Sequence, residues 1–214
     1  GSDAANVETR AVRTTGGWRV SGRKLYISVG NISDFGVVFV RTQRSDGERG
    51  VSCLVFEGSA PGFSATTIPK MGMRSCPLGE LLFEDVEIPA ENLVGEEGAG
   101  LALAKKHLNV GRCVVAFSAL GIAEAAYEAA VKYAVERVQF GRAIGQFQLV
   151  QQMVADMMAL VETSRLVCYR AADAIDRNSG DSNVLCSMAK RYATDSVLRV
   201  AELALQVHGG AGYT

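Results

Sequence analysis

Gly95-Glu96-Glu97-Gly98-Ala99-Gly100-Leu101-Ala102-Leu103-Ala104 is the stretch at which the sequence changes its period. C-terminal to it, Leu101, Ala104, Leu108, Val114, Phe117 and Leu120 recur at helical spacing, and the pattern continues through Tyr127, Val131 and Ala134 to Arg137. Apolar residues three and four apart line one helix face, so a single helix of nearly forty residues is expected, with Gly111 as the place for a bend. N-terminal to it lie all four prolines, Pro61, Pro69, Pro77 and Pro89. Proline breaks helix interiors, so long helices belong to the second half alone.

The first half carries short β-branched and aromatic runs between glycine or polar turns: Trp18 to Val20, Lys24 to Ser28, Gly36 to Thr42, Val51 to Phe56, Phe63 to Ile68 and Leu81 to Val86. Runs of this length and spacing predict an antiparallel β-barrel or sandwich. Ser45-Asp46-Gly47-Glu48-Arg49-Gly50 reads as a hairpin loop, with glycine supplying positive φ. In the second half, Leu149, Met153, Met157, Leu160, Val167, Ala171 and Ile175 form the stripe of a second helix ending at Asn178-Ser179-Gly180. A third starts after Asp181 or Ser182, either a plausible N-cap, and runs through Val184, Met188, Val197, Val200, Ala204 and Val207 to Gly209-Gly210. Long helices joined by short loops pack antiparallel. The expected architecture is α+β: a β-barrel or sandwich over residues 1–94, then three long helices of an up-down four-helix bundle over 95–214, with one flank open. Met153, Met157 and Met158 are read as core filler.

Composition narrows the function. Of 214 residues 48% are hydrophobic, and 22 basic residues nearly cancel 23 acidic ones with no block of like charge. That argues against a nucleic-acid track or a membrane-surface patch. The unbroken apolar runs are shorter than the ~20 residues of a membrane span, and no basic-then-apolar leader opens the chain. Cys53, Cys76, Cys113, Cys168 and Cys186 stand singly, fitting neither a disulfide framework nor a zinc site. A soluble protein of a reducing compartment is expected, and no metal. The opening Gly1-Ser2-Asp3 and the closing Gly212-Tyr213-Thr214 read as the ends of a piece of a longer protein.

Several segments carry a resemblance that spans the chain: Gly1-Ser2-Asp3, Gly22-Arg23-Lys24-Leu25-Tyr26-Ile27-Ser28, Leu82-Phe83-Glu84-Asp85-Val86-Glu87-Ile88-Pro89 and Gly95 to Gly100. The helical half adds Glu136-Arg137-Val138-Gln139-Phe140-Gly141, Phe147-Gln148 and Gln206-Val207-His208-Gly209-Gly210-Ala211-Gly212-Tyr213. In this order and spacing they resemble the middle β-domain and part of the C-terminal bundle of acyl-CoA dehydrogenases. The resemblance implies FAD as cofactor, lying between the two domains, with part of its site supplied by a neighbouring subunit of a tetramer or dimer. It implies an acyl-CoA or acyl-carrier-protein thioester as substrate and an electron-transferring flavoprotein as acceptor. A bacterial cytoplasm or a mitochondrial matrix would suit, and no nucleic acid or membrane span is expected.

By the same resemblance, Tyr26, Ile27 and Ser28 pack on the flavin, with the Ser28 hydroxyl at flavin N5. Ser2 meets the pyrophosphate and neighbouring substrate groups. Arg137, Gln139 and Phe140 meet the FAD of a partner subunit, Phe147 and Gln148 make further flavin contacts, and Gln206, Val207, His208, Gly209 and Gly210 surround the adenosine end of FAD. Asn109, Val110, Gly111 and Arg112 line the acyl-thioester site; Arg112, in an apolar stretch, should face a cleft or a carboxylate. Each has a plainer reading: an edge strand, a solvated arginine at a helix C-terminus, a glycine helix stop. The implied chemistry removes the α-proton with a glutamate while the β-hydrogen leaves as hydride. That glutamate is expected beyond Thr214, or at the position of Gly111, where glycine cannot serve. The catalytic base is therefore unknown, and Glu124, Glu128 and Glu136 read as solvated charges. Alternatives are a flavin oxidase or monooxygenase of the same fold, and an inactive thioester-binding or assembly homologue. Arg74-Ser75-Cys76-Pro77-Leu78-Gly79 departs from the Ser/Thr-rich loop common in the family, which puts substrate contacts from that loop in doubt.

Overall fold

The computed structural model describes residues 3–43 and 49–214. Ser2 and most of the hairpin loop expected over 45–50 lie outside the described residues. The chain divides into two compact units, Gly1–Lys105 and Lys106–Thr214.

The first unit is one six-stranded sheet in the order β4-β3-β1-β2-β6-β5. Its strands are β1 Arg10–Arg13, β2 Gly17–Ser28, β3 Phe35–Gln43, β4 Arg49–Glu57, β5 Phe63–Ile68 and β6 Leu78–Pro89. The sheet is mixed rather than wholly antiparallel, because β1 runs parallel to β3 at Arg10 and Arg41. Strand β1 escapes sequence detection: it has four residues, of which only Ala11 is buried. Trp18 to Val20 and Lys24 to Ser28 are one strand, and Gly22 between them is not a turn. A Cβ there would lie 2.7 Å from the Thr9 Cα, so only glycine fits. The sheet curls until Phe56 of β4 and Phe63 of β5 meet with ring centroids 5.0 Å apart, and Phe83 of β6 packs against both. Trp18, Val20, Val38, Val40, Leu54 and Val86 complete that core.

The second unit holds α1 Gly100–Glu136, whose first residues belong to the first unit, with α2 Gln148–Asp176 and α3 Ser182–His208. Helix α1 is continuous through Gly111. Small residues let the helices approach: Ala116, Ala123, Ala130, Ala171, Ala189 and Ala193 are buried together with Met157, Val161 and Val200. Met153 is partly buried in that core, whereas Met158 is exposed, a correction to the reading of all three as filler. Asp181 occupies the N-cap position of α3 without a side-chain cap bond, since its carboxylate accepts the Ser179 hydroxyl instead. An 18-residue window of α1 has a mean hydropathy of 1.5, so this helix is long and apolar enough to cross a membrane. Counting unbroken apolar runs misses it, because Arg112, Ser118 and Glu124 interrupt them.

All five cysteines are free, and only Cys76 is not buried. Burial pushes the Cys168 thiol up to about 11 and raises Cys53, Cys113 and Cys186 as well. Thiolate is the reactive form. Cys76 is therefore expected to alkylate at least about tenfold faster than the other four in the native protein, as peptide mass spectrometry would show. Ser164, in the bundle core, has a buried hydroxyl without a hydrogen-bond partner among the described residues. Ser164→Ala removes that uncompensated group, so a gain of about 1 kcal/mol is expected in denaturant unfolding.

Candidate functional site

In the sheet unit, everything turns on where β2 loses its register. From Trp18 and Val20 to Lys24 the even-numbered side chains point inward, and strict alternation would turn Tyr26 and Ser28 into the core. Lys24 pairs with Leu81, but the next partners are Ile27 and Gly79. Leu25 and Tyr26 thus both oppose Glu80, a two-against-one bulge that shifts the phase by one residue. Ile27 takes the inward place, and Tyr26 and Ser28 face out. Tyr26 is 70% exposed and holds φ 61, a left-handed conformation that an aromatic L-residue adopts only under constraint. Val29, just beyond Ser28, is likewise at φ 54, fixed by its N–H donating to the Pro77 carbonyl at 2.7 Å. Between two strained residues, the Ser28 hydroxyl is exposed and without a partner among the described residues. The arrangement turns an aromatic ring and a hydroxyl to the same outer face of β2.

In the bundle unit, the remaining expected contacts gather at one end. The C-terminus of α1, the N-terminus of α2 and the C-terminus of α3 meet there, because successive helices run antiparallel. Val138–Gln139 and Arg142–Ala143 form a small hairpin, β7 and β8, with Phe140 at φ 51 and Gly141 at φ 77 as its two-residue turn. The turn pushes Phe140 out until it is 93% exposed, its ring 6.1 Å from Phe147 in edge-to-face contact. Arg137 is exposed and makes no ion pair among the described residues. Gln139 folds its amide onto the Val138 carbonyl, and Gln148 is exposed on the first turn of α2. Phe147 stands at the α2 N-cap, where no side chain caps the helix and no acidic residue occupies the first turn. The free backbone N–H groups of the α2 N-terminus, with the Arg137 guanidinium, offer donors that suit a phosphate.

At the end of α3, Val207 is buried in the core, and Gln206 is exposed beside Leu149, Gln152 and Met153 in a hollow between α2 and α3. His208 is structural in character: Nδ1 lies 2.8 Å from the Ala204 carbonyl and the ring stacks on Tyr133 at 4.6 Å. Gly209 needs its φ of 58, whereas Gly210 has neither a positive φ nor any atom near a would-be Cβ. Nothing inside the fold requires glycine at 210, which fits a surface that a ligand approaches. Arg142 was missed by sequence reasoning. Its guanidinium lies 4.1 Å over the Phe147 ring, placing a second cation at this end. The signal was a cation one residue beyond the Phe140-Gly141 turn.

The expected substrate residues lie at the opposite end of the bundle, about 38 Å from Arg137 along α1 at ~1.5 Å per residue. Among the described residues Arg112 meets no carboxylate. Its Nη1 donates to Asn109 Oδ1 at 2.9 Å and to Asn183 Oδ1 at 2.8 Å, so neutral carbonyls share the charge. Val110 and Gly111 are exposed beside it. Glu128 and Glu136 are exposed, but Glu124 is not merely solvated: its Oε1 accepts from Nη2 of Arg165 at 2.6 Å. The hydrogen bonds that Arg165 donates to Glu162 and Glu124 raise its pKa. A carboxylate so engaged is a poor candidate for proton abstraction.

The chain thus has two units, a curled mixed sheet that presents a strained tyrosine and a helical bundle with a cationic, aromatic end. Residues 98–214 match the family model for the acyl-CoA dehydrogenase C-terminal domain, and residues 1–86 match that for the middle domain. The chain belongs to the acyl-CoA dehydrogenase family. It is 41% identical over 214 residues to cyclohex-1-ene-1-carbonyl-CoA dehydrogenase of Syntrophus aciditrophicus (strain SB), covering 100% of this chain and 52% of that one. It is 42% identical to the mitochondrial isobutyryl-CoA dehydrogenase of Bos taurus, covering 51% of that protein. The solved structure of butyryl-CoA dehydrogenase from Megasphaera elsdenii superposes with a TM-score of 0.91 at 39% identity, over 100% of this chain and 56% of that one. The chain spans about half the length of these relatives.

Proposed function

We propose that the intact protein is an FAD-dependent acyl-CoA dehydrogenase that desaturates an acyl thioester between its α and β carbons. The observation that carries this reading is Tyr26 at φ 61 with its ring turned outward beside the unengaged Ser28 hydroxyl. Strain of this kind, costing about 1–3 kcal/mol, persists where the surrounding structure enforces it for use. Tyr26 forms the wall for the isoalloxazine and Ser28 donates to its N5 edge, whereas Ile27, expected on the flavin, packs against the sheet core instead. Arg137, Gln139, Phe140, Phe147 and Gln148 hold the phosphate end, with Gln206 to Gly210 at the adenosine. When bound, FAD supplies the hydride acceptor. Asn109, Val110, Gly111 and Arg112 orient the thioester, and the residue that takes the α-proton is not identified among the described residues. Gly111 has no side chain to offer, and Glu124 is committed to Arg165.

The two ends of α1 argue for assembly. The expected substrate residues and Arg137 lie about 38 Å apart along α1. That separation supports a reading in which the Arg137 end serves the FAD of another copy, in a homo-oligomer, a tetramer or dimer. The sheet domain ends near residue 94 and the bundle domain begins at 95. An electron-transferring flavoprotein takes up the electrons, in a bacterial cytoplasm or a mitochondrial matrix.

Mixing the FAD-loaded intact protein anaerobically with a series of acyl-CoA thioesters tests the activity. Bleaching of the flavin band with formation of the enoyl thioester is expected for at least one chain type. Reoxidation by a dye or an electron-transferring flavoprotein should outpace reoxidation by oxygen. Rapid substrate-dependent peroxide formation would instead identify an oxidase.

A further inference from the structure

The sheet has a seam. Strand β1 separates β2 from β3 only as far as Arg10, which pairs with Ser21 on one side and Arg41 on the other. Thr9 makes the last bridge, its carbonyl accepting from Arg41 N at 2.8 Å and its hydroxyl donating to the Arg23 carbonyl at 3.1 Å. Beyond Thr9 no strand lies between β2 and β3, and a mostly apolar cavity of about 270 Å³ opens there, lined by Ala4, Val7, Ile27, Val37 and Phe39. Among the described residues, Lys24 is the one charged side chain on its wall. Its Nζ donates to the Phe39 carbonyl at 2.6 Å, taking over the bridge one residue after Arg23. Burial lowers the pKa of this lysine, a measure of what its placement costs.

The next two residues of β2 are the bulge. Segment 24–28 is held by β6 on one side, through Lys24 with Leu81 and Ile27 with Gly79, and on the seam side by the Lys24 ammonium. We propose that Lys24 is a positioning residue that ties β2 to β3 across the seam and so holds the Leu25-Tyr26 bulge that turns Tyr26 and Ser28 outward. This rests on the flavin reading for its consequence but not for its geometry. A methionine of similar volume would fill the space and leave the Phe39 carbonyl without a donor, freeing the bulge on one side.

The test uses the intact protein carrying Lys24→Met, with two readouts. Amide hydrogen exchange of 25–28 and 37–39, in flavin-free protein, should quicken about tenfold or more while β4 and the bundle are unchanged. FAD affinity should fall about tenfold, with the flavin absorption band shifted in the direction that Ser28→Ala shifts it. Lys24→Arg, which keeps a cationic donor of similar reach, should restore both; if Lys24→Met fails to fold, Lys24→Gln takes its place. Unchanged exchange across the bulge overturns the proposal, as does a lowered melting temperature with wild-type exchange and spectrum, which would mark a merely structural lysine. Should the wild-type protein bind no FAD, the flavin reading fails on its own, and the exchange readout still decides the role of Lys24.

Discussion

Arg137→Ala in the intact protein is expected to weaken FAD binding about tenfold to a hundredfold, the loss of roughly 1.5–3 kcal/mol that hydrogen bonds to a charged group contribute. Arg137 has no carboxylate partner among the described residues and lies exposed where α1 ends, so its removal should cost the fold little. Its charge acts alongside the uncapped N-terminus of α2, which by itself favours an anion by about 0.3–1 kcal/mol. Fluorescence titration with FAD at two ionic strengths checks this. Wild-type binding should weaken with salt, and the variant's should weaken less, since one phosphate-facing charge is gone. An affinity equal to that of wild type would mean that Arg137 is a solvated helix-end cation, favoured there only by the dipole.

The second large effect should divide stability from function. Tyr26→Gly removes the ring that walls the flavin and also removes the left-handed strain, about 1–2 kcal/mol for a residue with a Cβ. Strand glycine carries an entropy cost of about 0.5–1 kcal/mol, which offsets part of that relief. The variant should therefore unfold at a denaturant midpoint equal to or slightly above the parent's, while its FAD affinity falls about tenfold or more through the lost aromatic contact. Loss of both together would show Tyr26 to be a packing residue. Retention of both would show that the ring faces no ligand.

How much of this was legible beforehand follows from what each residue depends on. The proline-free second half and its apolar spacing fixed the three helices to within a few residues, because helix periodicity is local. The sheet was less legible at β1, which carries one buried residue and is held by its neighbours on both sides. The bulge at Leu25 and Tyr26 could not be read from alternation. The outward direction expected for Tyr26 and Ser28 rested on resemblance, and the register of β6 supplied the physical reason. Arg112 shows the limit in the other direction: burial cost called for a cleft or a carboxylate, whereas its partners are Asn109 and Asn183, which depend on where α3 begins. Arg142 carried only a weak signal, a cation just beyond Phe140-Gly141, because its stacking on Phe147 depends on a hairpin turn that the backbone reveals.

Equilibrium dialysis of the intact, purified protein against FAD tests the central claim most directly. One FAD retained per chain, with a flavin spectrum that Ser28→Ala perturbs, is the predicted result. A colourless protein that retains none would contradict the account, leaving the strained tyrosine and the cationic bundle end without the ligand they are argued to hold.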